Sequence, residues 1–232
     1  MNPALRDSAA HVFVDDLATP ALSDADLHHL SNVLRLRDGE SVSVSDGAGG
    51  WRMCEWRDEA LRIAGDIVTI ASPSPRIGVA FVPVKGDRSE WTVQKLTEIG
   101  VDDIMVLAPT RRSVVRWSNI DKQLAKLRVV AREAAMQSRR THLPTVTGLV
   151  PLADALARPG AVVADPLGAE LAGGPLPALV VVGPEGGFDP EELPAAVARV
   201  TLGGTILRVE TATLVAATLL VAQRHVHAAS TR

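Results

Sequence analysis

The sequence predicts an α/β protein preceded by a smaller β-rich domain, on three observations. Beyond residue 76, apolar strand-like runs alternate with segments of helical period, the pattern of a mostly parallel sheet covered on both faces. The first 70 residues instead hold short alternating runs around a single helix. Between the two, Ala71-Ser72-Pro73-Ser74-Pro75 breaks both patterns, and two prolines within three residues suit an extended linker. These observations place a boundary there, with domains over residues 1–72 and 76–232.

In the first domain, Ser23-Asp24-Ala25-Asp26 opens a helix with a capping-box pattern, and Leu27, Leu30, Val33 and Leu34 recur at helical spacing until Asp38-Gly39 stops it. Ser41-Val42-Ser43-Val44 alternates like a half-buried strand, and Asp46-Gly47 marks a turn. Two more strand-like runs follow, at Trp51–Trp56 and Leu61–Ile70. In the second domain the expected strands are Ile77–Val84, Ile104–Leu107, Ala161–Ala164, Leu179–Val182 and Val200–Leu207. The expected helices are Glu90–Ile99, Ile120–Gln137, Leu152–Ala157, Glu191–Ala198 and Thr211–His227. Ligands of open α/β sheets bind beyond the carboxyl ends of the strands, so the loops after the strands carry the interest.

Composition narrows the class. The 232 residues are 47% hydrophobic and 22% charged, enough for a sizeable core and inconsistent with wholesale disorder. The apolar run Ala212–Ala222 is too short to cross a bilayer, and Met1–Asp16 lacks a basic start followed by an apolar stretch. A cytoplasmic protein without membrane association is expected. The single cysteine, Cys54, excludes an intramolecular disulfide and a cysteine-based zinc cluster, and no metal is expected. The net charge of −3 hides an asymmetry: residues 1–70 hold 6 Lys/Arg against 12 Asp/Glu, whereas residues 111–142 hold 9 against 2. The basic stretch either attracts a polyanion or is a solvated helix face.

Three segments could carry chemistry. The strand Leu179–Val182 runs into Gly183-Pro184-Glu185-Gly186-Gly187-Phe188, where glycines permit close backbone approach to a ligand. The spacing fits neither the dinucleotide fingerprint nor the P-loop. The second segment is Leu202-Gly203-Gly204 with Leu207-Arg208-Val209-Glu210-Thr211-Ala212. Thr211 could cap the following helix and Glu210 suits its positive end. Arg208 does not suit it, and an Arg in that position calls for a carboxylate, a phosphate or a base edge. The third is Arg132–Arg140, where Glu133 and Gln137 share a helix face. His28-His29, His225 and His227 read as surface residues, and Asp165-Pro166 as a loop carboxylate or a turn. With no tyrosine and three phenylalanines, an aromatic platform for single strands is not supported.

Taken together these segments resemble the RsmE family of SPOUT (trefoil-knot) methyltransferases, which methylate N3 of a uridine in 16S rRNA. The resemblance rests on His28-His29-Leu30 with Val33-Leu34-Arg35-Leu36, on Gln94–Val101, on Glu133-Ala134-Ala135 with Gln137-Ser138-Arg140, on Asp165-Pro166, on the GPEGGF loop and on Leu207-Arg208 with Glu210-Thr211-Ala212. They occur in family order over nearly the whole chain. His11 and Gly204 depart from the family pattern, standing where relatives tend to carry an arginine and a proline.

The resemblance implies an N-terminal PUA-like β-barrel that binds RNA and a C-terminal SPOUT α/β domain with a deep trefoil knot near its end. It implies S-adenosylmethionine as cofactor, the small ribosomal subunit as substrate and a homodimer as the active form. Residues carried over for the cofactor are Gly183, Pro184, Glu185, Gly186, Gly187, Leu202, Gly203, Leu207, Thr211 and Ala212. Those for RNA are Arg35, Arg111, Arg112, Arg132, Gln137, Arg139 and Arg140. Uridine N3 carries a proton and is a poor nucleophile until that proton is removed or the anion is stabilised. Arg208 is expected to face the uracil oxygens with Glu210 orienting it, and the proton goes to water or to Glu185. A non-catalytic RNA-binding factor has no need of the glycine loop, and an enzyme of another nucleotide would carry a phosphate fingerprint.

Overall fold

The structure, a computed structural model, describes residues 2–230 in two compact units. The first contains residues 1–72 together with residues 132–143. Its elements in the N-terminal segment are α1 (Pro3–Asp7), β1 (Ala10–Phe13), α2 (Asp24–His28), β2 (Ser41–Ser45), β3 (Gly50–Arg57), β4 (Ala60–Ile63) and β5 (Val68–Thr69). The strands form one sheet in the order β1-β2-β3-β4, with β5 also on β3. β1 and β2 are parallel and the other pairs antiparallel.

Ser23 caps α2 as expected: its hydroxyl accepts the Asp26 N–H at 3.1 Å and donates to the Asp26 carboxylate at 2.6 Å. The helix does not continue to Asp38-Gly39. It widens into one π-turn over His29–Val33, with the Leu34 N–H bonded to the carbonyl of His29 five residues back, and Arg35 follows at φ +55°. The extra residue in that turn shifts the apolar spacing. Leu30 is therefore buried, while Val33 and Leu34 are 60% and 45% exposed.

Residues 132–143 fall in the first unit although chain order assigns them to the second domain. Ala135 and Met136 complete the core formed by Val12, Phe13, Val42, Val44 and Trp56. The linker marks where the chain leaves this unit and carries no sign of where it returns.

The second unit, residues 73–131 and 144–232, alternates strands and helices. In order it holds β6 (Gly78–Phe81), α3 (Arg88–Ile99), β7 (Asp103–Leu107), α4 (Ile120–Gln137, its last residues in the first unit), β8 (Thr145–Val150), α5 (Leu152–Leu156), β9 (Ala161–Glu170), β10 (Leu179–Val182), β11 (Arg199–Thr201) and α6 (Val209–Ser230). The six strands make one wholly parallel sheet, β11-β9-β10-β6-β7-β8, as the alternation predicts. Central β10 and β6 are buried throughout, the expected signature of strands covered on both faces.

Several elements differ from expectation. β9 runs on past Ala164 to Glu170, so Asp165-Pro166, read as a loop carboxylate or a turn, lie inside a strand, because this stretch pairs with β11. β8, at the sheet edge, was not expected, because its Thr145 and Thr147 interrupt the apolar signal that buried strands show. The helix expected over Glu191–Ala198 is a single 3-10 turn at Pro190–Glu192, since Pro194 lacks the N–H that helix continuation needs. β11 stops at Thr201, and α6 begins at Val209, two residues before Thr211, so Thr211 is not its cap. Toward the end of α6, Arg224 pairs with the buried Asp102, whose carboxylate also accepts the Ile77 N–H at 3.0 Å. Among the described residues no helix is long and apolar enough to cross a membrane.

Candidate active site

β10 ends at Val182 beside the middle of β9, and Val163–Pro166 of β9, the loop that leaves β10 and the segment between β11 and α6 enclose a cavity of about 370 Å³. That lies within the ~300–1,000 Å³ of small-molecule sites. β10 delivers Gly183, where a methyl would press on the Phe188 ring at 2.9 Å. Gly187, at φ +69°, and Gly203, at φ +146°, hold conformations that side-chain-bearing residues resist. Val163, Val182, Phe188, Leu202, Leu207 and Ala212 supply apolar wall, and Asp165, Glu185, Arg199 and Thr201 supply polar groups. Asp165 and Arg199 pair at 2.9 Å across β9 and β11.

The outer side of the glycine loop is tied down. Asp189 and Glu192 form a reciprocal capping box on the 3-10 turn. Arg112 Nη1 donates to the Gly186 carbonyl at 2.8 Å. The Arg111 backbone N–H donates to Glu192 at 2.8 Å, and its guanidinium to Glu191 at 2.6 Å. Arg111 and Arg112, expected to meet RNA, thus also hold this loop.

Of the expected cofactor residues, Gly183, Pro184, Glu185, Gly186, Gly187, Leu202, Gly203, Leu207 and Ala212 line the cavity. Thr211 does not: it is exposed, because inside a helix it points about 100° away from its neighbour Ala212. Arg208 and Glu210 also lie outside the lining. The pairing expected between them is not made. Glu210 Oε1 instead accepts from Arg88 Nη1 at 3.0 Å, because the first turns of α3 and α6 adjoin. Burial raises the Glu210 carboxyl, but the backbone, the Arg88 guanidinium and the charge of Arg208 outweigh it and hold it below its usual range.

A second cavity, of about 250 Å³, adjoins the first and shares Pro184, Glu185 and Val209 with it. Its other lining residues include Val82, Val84, Lys85, Arg88, Val114 and Val115. Lys85 and Arg88 carry no motif in the sequence. Lys85 stands in the loop beyond β6 and Arg88 opens α3 directly after it, on the side of the sheet to which the carboxyl ends of the strands point.

In the first unit, Arg132 and Arg139 serve the fold. Arg132 holds both carboxylate oxygens of the buried Asp26 at 2.9 and 2.8 Å and the Phe13 carbonyl at 3.1 Å. Burial would raise the Asp26 carboxyl, but Arg132 and Ser23 keep it below its usual range. Arg139, at φ +57°, donates to the carbonyls of Ser8 and Met136. Arg35 and Gln137 are exposed, and Arg140 is half-buried. His11 is 2% exposed: its Nε2 lies 3.0 Å from the Arg140 carbonyl, which can only accept, so Nδ1 takes the Ser43 hydroxyl at 2.8 Å.

Comparison with known proteins decides the family. The RNA methyltransferase domain matches residues 72–221, and the RNA methyltransferase PUA domain matches residues 22–56. The chain is 34% identical to ribosomal RNA small subunit methyltransferase E of Mycobacterium bovis, over 87% of this chain and 86% of that protein. This chain belongs to the ribosomal RNA small subunit methyltransferase E family. The family member from Synechocystis is 33% identical over 86% of this chain and 71% of its own length. Among solved structures, the family member from Neisseria gonorrhoeae bound to S-adenosyl methionine superposes with a TM-score of 0.75 at 28% identity, over 90% of this chain and 94% of that one. A probable rRNA-methyltransferase from Porphyromonas gingivalis reaches 0.77 at 26% identity, over 96% and 100%. The fold is thus α/β, a PUA-like domain followed by the methyltransferase domain.

Proposed function

We propose that this chain transfers the methyl group of S-adenosylmethionine to N3 of a uridine in 16S rRNA of the small ribosomal subunit. The observation that carries the reading is the 370 Å³ cavity built from Gly183–Gly187, Leu202-Gly203 and Leu207–Ala212, within the span that matches the RNA methyltransferase domain. A glycine-lined loop with few charges suits a nucleoside held by backbone groups, and the Neisseria gonorrhoeae relative was solved with S-adenosyl methionine. Bound there, the cofactor supplies an electrophilic methyl on a sulfonium.

The residues of this chain hold that group in place and meet the RNA. The loop 183–187, fastened by Arg112, fixes the cofactor side for in-line transfer. Arg208 is exposed at the start of α6 and lines neither cavity; its guanidinium has no hydrogen-bond or ion-pair partner among the described residues, and it offers that charge to the RNA beside the acceptor uridine. Arg35, Arg111, Arg112, Gln137 and Arg140 are the further RNA contacts in this reading. Arg132 and Arg139 drop out because their guanidiniums are bound among the part-buried groups of the first unit, whereas Arg111 and Arg112, though also bonded, keep exposed side chains.

The same reading takes the first unit as a closed PUA-like barrel and the chain end as a trefoil knot. β11 lies outermost beside β9, and α6 packs back on β6, β10 and α3, a return across the sheet that supports threading. It also takes the enzyme as a cytoplasmic homodimer, for which the half-exposed Leu214, Leu219 and Val221 of α6 leave apolar surface.

The test is transfer of labelled methyl to small subunits lacking native methylation, followed by nucleoside mass spectrometry. N3-methyluridine at one site is the expected product. Arg208→Ala is expected to cut turnover by ~10–100-fold with unchanged cofactor affinity. Cofactor binding without any transfer to subunits or naked RNA would overturn the substrate assignment.

A further inference from the structure

We infer that the second cavity, bounded by Lys85, Arg88 and Glu185, is the seat of the acceptor base and selects uracil over cytosine. The inference rests on the proposed methyl transfer and adds which groups recognise and activate the base. Three observations carry it. First, the two cavities share Pro184, Glu185 and Val209, so a flat ring in one lies against the partition that borders the other. Second, Val82, Pro83, Val84, Val114, Val115 and Val209 make its walls largely apolar, suited to the faces of a heterocycle withdrawn from its stack.

The third observation is its polar set. Lys85 and Arg88 can only donate, and an ionised Glu185 can only accept. The pairing edge of uracil presents acceptor, donor, acceptor: O2, N3–H and O4. Two cations and one carboxylate around one cavity match the groups of that edge in kind. Cytosine presents an amino donor where uracil has O4 and a bare acceptor at N3, so it would leave one cation and the carboxylate unmatched in a partly dry site. The Lys85 ammonium and the Glu185 carboxylate have no hydrogen-bond or ion-pair partner among the described residues, so both are available to a ligand. Arg88 is not loose. Its guanidinium is held at 3.0 Å by Glu210, whose other carboxylate oxygen is buried without a hydrogen-bond partner. Glu210 therefore acts as a positioning residue for Arg88.

The step balances without a further reagent. The N3 proton passes to the Glu185 carboxylate, the electron pair left on N3 forms the new N–C bond to the methyl, and the pair of the broken S–C bond stays on sulfur, which becomes a neutral thioether. Lys85 and Arg88 face the oxygens where the intermediate negative charge resides.

The experiment is single-turnover methyl transfer at saturating S-adenosylmethionine, on unmethylated small subunits, followed from pH 6 to pH 10. Wild type, Glu185→Gln, Arg88→Ala, Arg88→Lys and Lys85→Ala are compared, with cofactor affinity measured by calorimetry as the check on folding. Glu185→Gln is expected to lose about 100-fold or more at pH 7 and to recover as pH rises toward the ionisation of uracil itself. Arg88→Ala is expected to lose ~10–100-fold, with part regained in Arg88→Lys, while cofactor affinity stays within about threefold. Glu185→Gln and Arg88→Ala with wild-type rates and pH profiles would overturn the inference while leaving the methyltransferase reading intact. A wild-type enzyme that binds the cofactor and methylates no uridine would overturn that reading, and the inference with it.

Discussion

At neutral pH the imidazole of His11 is uncharged, because burial pushes its pKa down from 6.5 to about 4, outweighing the hydrogen bond to the Arg140 carbonyl that raises it. Unfolding frees the ring to take a proton near pH 6.5, so the unfolded chain binds more protons than the folded one between these values. Stability is therefore full above about pH 6.5 and falls as pH drops toward 4. The full loss is about 3 kcal/mol, the shift multiplied by ~1.4 kcal/mol per unit. Thermal unfolding of wild type and His11→Gln over this range checks it: the wild type should lose stability relative to the variant as pH falls, and parallel curves would refute the assignment. This residue shows why a chain letter underdetermines a role. His11 was notable in the sequence for standing where relatives tend to carry an arginine; only the fold reveals that it closes the core against the Arg140 carbonyl. Arg132 gives the same lesson, since a guanidinium in a basic stretch reads as polyanion-binding until Asp26 is found beneath it.

Among elements, the pair β9 and β11 sets the edge of the large cavity, and one glycine makes that pairing possible. A methyl on Gly168 would collide with the backbone of Arg199 and Val200, which has no side-chain freedom to yield. Gly168→Ala should force β11 away from β9, displacing Thr201 and Leu202 from the cavity wall. We expect a loss of ~1–3 kcal/mol of stability, as for other overpacking changes, and weaker S-adenosylmethionine binding, read by calorimetry. Wild-type affinity would show that the wall does not depend on this strand. Elements whose burial follows a regular pattern were legible beforehand. Leu179–Val182 matches its expected bounds and α4 matches Ile120–Gln137. β8 was not legible, because an edge strand mixes threonine with valine, and the helix expected after the glycine loop stops before Pro194, a single breaker that overrides the helical period around it.

At the scale of the molecule, the first unit depends on residues far along the chain. Ala135 and Met136 belong to its core and Arg132 neutralises Asp26, which is only 4% exposed. A fragment of residues 1–72 would lose the cation that pairs with Asp26, a loss that costs ~3–5 kcal/mol wherever the carboxylate stays buried. Set against the ~5–15 kcal/mol that stabilises a domain, this loss and the missing core side chains are expected to leave the fragment unfolded. Circular dichroism and the fluorescence of Trp51 and Trp56 would report it; a cooperative unfolding transition in the fragment would contradict it.

The amino-acid order alone settled the α/β class, most strands and helices, and the segments around the main cavity, because burial on both faces of a sheet and tight glycine turns impose local patterns that survive as letters. The partnership of Glu210 with Arg88, the recruitment of residues 132–143, the internal roles of Arg132 and Arg139 and the second cavity beside Glu185 were decided by packing. Each depends on groups separated by tens of residues or more, whose proximity follows from strand order, and strand order leaves no trace in the spacing of neighbouring residues.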